Sequence, residues 1–134
     1  MEIRSAKQSD FSNILNIYKK TRLYDIGDEA ELNDRISRDP DKTVVAVCDD
    51  KVVGVACGNK FGKNGSIYKF AVLPDYQHRG IGKGIMEELS QRLFDSGCTV
   101  IRLVVKKTNK NAIDFYRNMG WQISDDYLLV LLQR

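Results

Sequence analysis

The sequence predicts one mixed α/β domain, a mostly antiparallel sheet with helices on its faces. Three observations carry this. Apolar positions switch between alternation and a near-fourfold period, in the order β, α, α, β, β, β, α, β, α, β. Residues 66–105 read as strand, helix, strand, a unit whose crossover is right-handed and whose strands are therefore parallel. No repeat, linker or low-complexity segment divides the 134 residues, a length that suits a single domain over 1–134.

Each element has its own signal. Residues 1–6 form a short strand. Ser9 or Asp10 caps a helix whose apolar positions are Phe11, Ile14, Leu15 and Tyr18. The chain breaks around Gly27, and a second helix over 29–38 ends ahead of Pro40. "TVVAVCDDKVVGVACG" is a hairpin of two β-branched runs turning at Asp49-Asp50. A further turn at Asn64-Gly65 leads into a strand over 66–73, which Pro74 stops. The helix that follows closes at Gly97. Residues 99–105 read as a central strand. Ala112, Ile113, Tyr116 and Met119 share one face of a short helix that Gly120 ends, and "YLLVLLQR" is the last strand.

Bulk composition narrows the function classes. The net charge of +3 arises from 21 basic and 18 acidic residues, mixed along the chain. That balance predicts no nucleic-acid partner and suits a few local anion contacts. The three cysteines form no C-x-x-C pair, and His78 is the only histidine, so no metal set is expected. The start carries no apolar signal core, and no apolar run reaches membrane-spanning length. A cytoplasmic protein without a membrane partner is the expectation.

One stretch contradicts ordinary helix chemistry. "YQHRGIGKGIMEELSQRL", residues 76–93, places Ile81, Ile85, Leu89 and Leu93 in one apolar stripe. Its opening turn holds glycines, Arg79 and Lys83, while the first acid is Glu87. Helix amino ends favour acids, because free N–H groups and the macrodipole put about +0.5 charge there. An anion from outside the chain resolves the conflict, with phosphate or pyrophosphate as the natural guest. The plain alternative is a glycine loop with two solvated cations. A P-loop is ruled out, since Gly84 stands where a hydroxyl must follow Lys83. A dinucleotide fingerprint lacks its third glycine at Ile85, and its strand ends in Lys106-Lys107 rather than an acid, which leaves only an NADP-like ligand open.

These residues resemble a known family. "AVLPDYQHRGIGKGIMEEL" is similar to motif A of the GNAT superfamily of acyl-CoA-dependent N-acetyltransferases, [RQ]-x-x-G-x-[GA], with Gln77, Gly80 and Gly82 in place. "NKNAIDFYRNMGW" resembles its N-x-x-A-x-x-x-Y-x-x-x-G-[FW] segment through Asn109, Ala112, Tyr116, Gly120 and Trp121. The two motifs occur in the family's order, and the flanking elements match across essentially the whole chain. The resemblance implies a GNAT-like twisted sheet of six to seven strands, flanked by about four helices and splayed between the fourth and fifth strands. Acetyl-CoA would lie in that gap, between the strand of Ala71 and the strand of Val104. Its diphosphate would sit on the amides of His78, Arg79, Gly80, Ile81, Gly82 and Lys83. Its pantetheine arm would bond the backbone of Phe70, Ala71 and Val72, with Asn109 binding the arm, capping its helix, or both.

The implied reaction is transfer of an acetyl group to a primary amine of a small molecule or peptide, by direct attack in a ternary complex. A strand N–H near Val72 would stabilise the oxyanion, and Tyr116 would protonate the leaving sulfur. Some relatives that acetylate protein amino termini carry a glutamate where this chain has Val104. A water chain, Tyr68, Asp25, Asp28 or Glu29 is then the candidate base, while His78 falls beside the phosphates. The acceptor would meet a region holding Arg22, Tyr24, Asp25, Asp28, Glu29 and Glu31, whose acids suit an amine. A catalytically idle CoA-binding module and a homodimer paired through the last strand are the alternatives to a simple monomeric enzyme.

Overall fold

The computed structural model describes residues 1–124 and the backbone of 129–133. Its strands are β1 (Glu2–Ser5), β2 (Thr43–Cys48), β3 (Lys51–Phe61), β4 (Asn64–Val72), β5 (Val100–Val104), β6 (Gln122–Ser124) and β7 (Leu129–Gln133). Its helices are α1 (Phe11–Lys20), α2 (Asp28–Arg38), α3 (Ile81–Asp95) and α4 (Lys110–Asn118). The strands form one sheet in the order β1-β2-β3-β4-β5-β7-β6. Every neighbouring pair is antiparallel except β4 and β5, which the α3 crossover makes parallel.

The β4–β5 pair is where the sheet opens. Only Asn64, Gly65 and Ser66 pair with Val100, Ile101 and Arg102. Beyond them the strands part, and Val104 at the far end of β5 is 77% exposed. The expected splay is present, and it gives a reason why an apolar run ends on an open side chain.

Alternation along β3 assigns the helices to faces. A Cβ on Gly54 or Gly58 would meet Ile85, Leu89 and Leu93 of α3. The neighbouring Cys57 instead meets the Tyr18 hydroxyl of α1, at 3.4 Å. Consecutive strand residues point to opposite sides, so α1 and α3 sandwich the sheet. The stripe Ile81, Ile85, Leu89 and Leu93 is buried throughout, as are Ile14, Leu15 and Tyr18 of α1. α4 shares α3's face, because Phe70 of β4 touches both Gly82 and Phe115.

Several expectations shift. The β3–β4 turn falls at Gly62-Lys63 rather than Asn64-Gly65, since Gly62 adopts the left-handed φ of 61° and the Asn-Gly pair extends into β4. The turn at Asp49-Asp50 stands as expected, both residues having positive φ as a type I′ turn requires. α3 begins at Ile81, which leaves Arg79 in the preceding loop rather than in the first turn. Asp10 makes no side-chain cap; its carboxylate accepts from the Lys7 N–H at 2.8 Å and pairs with Arg4 at 2.7 Å. β6 was not legible, being three residues long. It occupies the edge and covers Leu129, Val130 and Leu131 of β7, whose other side pairs with β5. Residues 125–128 and 134 of the tail lie outside the described residues.

A bulge in β4 matters most for the site. Ala71 pairs with Val55 but Tyr68 pairs with Cys57, so β4 carries one extra residue here. Lys69 takes it up with a φ of 53°. The bulge breaks alternation and sends two consecutive side chains, Tyr68 and Lys69, toward α2 and the α1–α2 loop.

Candidate active site

The loop from β4 to α3 is built to expose amides. Gln77 donates from Nε2 to the Val72 carbonyl at 3.0 Å and so fastens the loop to the end of β4. His78 (φ 63°) and Gly80 (φ 81°) are both left-handed, so the loop coils tightly ahead of α3. Among the described residues, no backbone carbonyl accepts from the N–H of any residue between 78 and 83; the first to be paired is Gly84, to Gly80. Six adjacent donors therefore stand without a backbone acceptor at the positive end of a four-turn helix. The cations stand beside them. Arg79 lies over the Tyr76 ring at 5.1 Å, and Lys83 is 3.8 Å from Glu87 with both side chains exposed.

Beneath this loop an aromatic group lines the opening of the sheet. Phe70 stacks on Phe115 at 5.9 Å, Phe115 meets Tyr116 edge-on at 5.1 Å, and Tyr116 lies 5.6 Å from Trp121. The absence of a side chain at Gly82 permits this, since a Cβ there would stand 3.0 Å from the Phe70 ring. Ala71 and Val72 continue β4 along the same gap and are buried. The Tyr116 hydroxyl forms no hydrogen bond among the described residues, and burial pushes its pKa well up, so it holds its proton. Asn109 caps α4, its Oδ1 accepting from the Ala112 N–H at 3.2 Å.

The opposite face carries a polar cleft lined by Tyr18, Asp28, Glu31, Leu32, Arg35, Cys57, Tyr68 and Lys69. Lys69 Nζ donates to Asp25 at 2.9 Å, to Asp28 at 3.0 Å and to the Leu23 carbonyl. Arg35 donates to the Gly58 carbonyl, the Asn59 side chain and the Tyr68 hydroxyl. Tyr68 in turn donates to Glu31 Oε1 at 2.8 Å. Burial, and then this bond to a carboxylate, push the Tyr68 phenol up to about 12.

Of the expected bases, Asp25 and Asp28 are committed to Lys69, and Asp28 also accepts from the Asp25 N–H at 2.7 Å. Glu29 lies 3.4 Å from the exposed Tyr24 hydroxyl. Tyr68 is held as a neutral phenol. Lys69 and Arg35 escaped the sequence reading, because a bulge and a pairing between α2 and β4 leave no local pattern. Among the described residues no cluster of side chains could hold a metal ion, and no helix is long and apolar enough to cross a membrane.

Comparison with known proteins matches this arrangement. The model of the acetyltransferase (GNAT) family fits residues 4–121. An acetyltransferase of Sodalis glossinidius is 30% identical over 132 residues, 97% of this chain and 93% of its own. Among solved structures, the PaiA N-acetyltransferase of Thermoplasma acidophilum, in complex with coenzyme A, superposes with a TM-score of 0.87 at 17% identity, over 99% of this chain and 98% of its own. The ribosomal-protein-alanine N-acetyltransferase of Brucella melitensis gives 0.81 at 19% identity, over 100% and 99%. At such identities the two structures establish the fold alone. Together with the family match and the Sodalis relative, the sequence motifs and the splayed sheet make this chain an acetyltransferase of the GNAT family.

Proposed function

We propose that this protein, read as one catalytic domain, transfers the acetyl group of acetyl-CoA to a primary amine of a small molecule or peptide, both substrates being bound at once. The observation that carries the reading is the run of amides from 78 to 83 without backbone acceptors, at the mouth of the β4–β5 gap. These donors fit a diphosphate, whose charge replaces the acids missing from the helix start. Arg79 and Lys83 add flanking charge. Phe70, Ala71 and Val72 offer the edge of β4 to an extended amide-containing arm, because β5 has already turned away.

The chemistry follows from this placement. The amine enters from the α1–α2 face and attacks the thioester carbon across the gap. A β4 amide near Val72 donates to the carbonyl oxygen as negative charge gathers there. Tyr116, poised beside Phe70 with an unengaged hydroxyl, gives its proton to the departing sulfur. Its phenol recovers a proton from the nitrogen that has become the amide.

The test is thiol release from acetyl-CoA with L-lysine, spermidine and a peptide beginning with alanine as acceptors. Acceptor-dependent release with a matching mass increase of the acceptor supports the reading. Tight acetyl-CoA binding with no acetylated product would instead identify the idle CoA-binding module, a reading that the apolar, exposed Val104 favours.

A further inference from the structure

We infer that Glu31 is the base of the reaction, its carboxylate held by Tyr68, which Arg35 fixes in turn, so that its second oxygen takes the proton of the incoming ammonium. The inference rests on the acetyl-transfer reading above. An alkylamine is protonated at neutral pH and is not a nucleophile in that state, so some group must accept a proton before attack.

Position and availability select Glu31. The cleft it lines lies across the sheet from the Phe70–Phe115 pair, on the face that the bulge opens beside the β4 segment assigned to the cofactor arm. Tyr68 stands two residues before Phe70 on β4, and the bulge at Lys69 between them turns the two side chains to opposite faces of the sheet. The charged and titratable groups facing Glu31 in this cleft are Tyr68 from β4, Arg35 from its own helix, Lys69, Asp28, Cys57 and Tyr18. Asp28 is neutralised by Lys69, and Tyr18 and Cys57 are engaged with each other. Glu31 is different. Unlike Asp28 it forms no ion pair among the described residues: Oε1 accepts from Tyr68, and Oε2 is left open on the exposed side. It is solvent-exposed, so the proton it takes can pass on to water.

Arg35 and Tyr68 act as positioning residues. Arg35 is anchored on β3 at the Gly58 carbonyl, 2.6 Å away, and fixes the Tyr68 hydroxyl, which fixes Glu31. The balance is complete. Glu31 takes one proton from R–NH3+ and becomes the carboxylic acid. The free amine forms the N–C bond, the C–S bond breaks, and the sulfur leaves as a thiol with the proton relayed through Tyr116. Glu31 then releases its proton to water, so each turnover liberates one.

The experiment compares wild type, Glu31→Gln, Glu31→Asp and Tyr68→Phe with the same three acceptors and with water alone, from pH 6 to 10, alongside acetyl-CoA binding by calorimetry. Glu31→Gln is expected to lose about 100-fold in kcat/KM for the amine at pH 7. That deficit closes as the pH rises through the amine's own pKa. Glu31→Asp recovers part of the rate, Tyr68→Phe lies between, and acetyl-CoA binds all four alike. A Glu31→Gln protein with the wild-type rate at pH 7, or with an equal deficit at every pH, overturns the inference while leaving the acetyl-transfer reading intact. A wild type that turns over neither amine nor water overturns that reading, and this inference with it.

Discussion

The two faces of the opened sheet are built on opposite plans. On the α3–α4 face the loop over 78–83 offers backbone donors that no part of the described chain satisfies. On the α1–α2 face nearly every polar side chain is already paired: Lys69 with two aspartates, Arg35 with three oxygens, Tyr68 with Glu31. The first face is shaped for a ligand that brings its own charge. The second is a network of side chains that satisfy one another, in which Asp25 and Asp28 are ion-paired and Glu31 is not. A diphosphate needs donors in a fixed array, which backbone supplies without side-chain entropy. An acceptor amine needs selection, which side chains supply.

The most damaging change strikes the first face. Gly82→Glu puts a carboxylate among the amides and a Cβ 3.0 Å from Phe70. Calorimetry is expected to give a loss of at least ~100-fold in acetyl-CoA affinity, about 2.7 kcal/mol. Gly82→Ala isolates the steric part and should lose far less. Near-native affinity in a folded Gly82→Glu protein would move the phosphate site elsewhere.

Tyr116→Phe comes next and bears on the gap between the faces. It keeps the packing against Phe115 and Trp121 and removes only an oxygen that bonds nothing in the described protein. Turnover should fall by roughly 100-fold while acetyl-CoA affinity changes less than about threefold. Unchanged turnover removes Tyr116 from the proton path.

The same contrast explains what the sequence revealed. The α3–α4 face was legible because its features are local: a strand, a glycine-cation loop and an apolar stripe within one stretch around Gly80 and Ile85. Tyr116, Asn109 and Gly120 were legible for a similar reason, as fixed positions around one short helix. The acceptor face was not. Lys69 meets Asp25 and Asp28 only because β4 bulges, and Glu31 meets Tyr68 only when α2 lies across the sheet. Neither condition leaves a period or a spacing. Even the start of α3 was misjudged, because Arg79 looks helical by spacing, whereas the left-handed His78 and Gly80 hold it in the loop.

Lys69→Met tests how rigid the second face is. Burial works against the Lys69 charge, but the bonds to Asp25 and Asp28 win and hold its pKa above the ordinary lysine value. A raised lysine pKa stabilises the fold fully below the unfolded value near ~10.4, and this stabilisation is lost as pH rises through the folded value. Removing the charge strands the buried Asp28, so the variant should unfold about 2 kcal/mol more easily at pH 7, read by denaturant titration. The gap between variant and wild type should narrow toward pH 11. A gap that stays constant to that pH would mean that packing over Tyr18, not the ion pairs, is what Lys69 provides.

Asn109→Ala gives the smallest effect and separates two roles on the cofactor face. The cap to Ala112 is a single bond of 3.2 Å at the start of a helix of 9 residues. Its loss should lower stability by about 1 kcal/mol. Asn109→Asp keeps a capping oxygen and favours the helix dipole, so it should restore the stability, while a side chain that also donates to the cofactor arm would be lost in both variants. If acetyl-CoA affinity falls equally in Ala and Asp while only Asp regains stability, Asn109 serves the ligand as well as the helix. If affinity simply follows stability across the pair, the cap alone accounts for the asparagine.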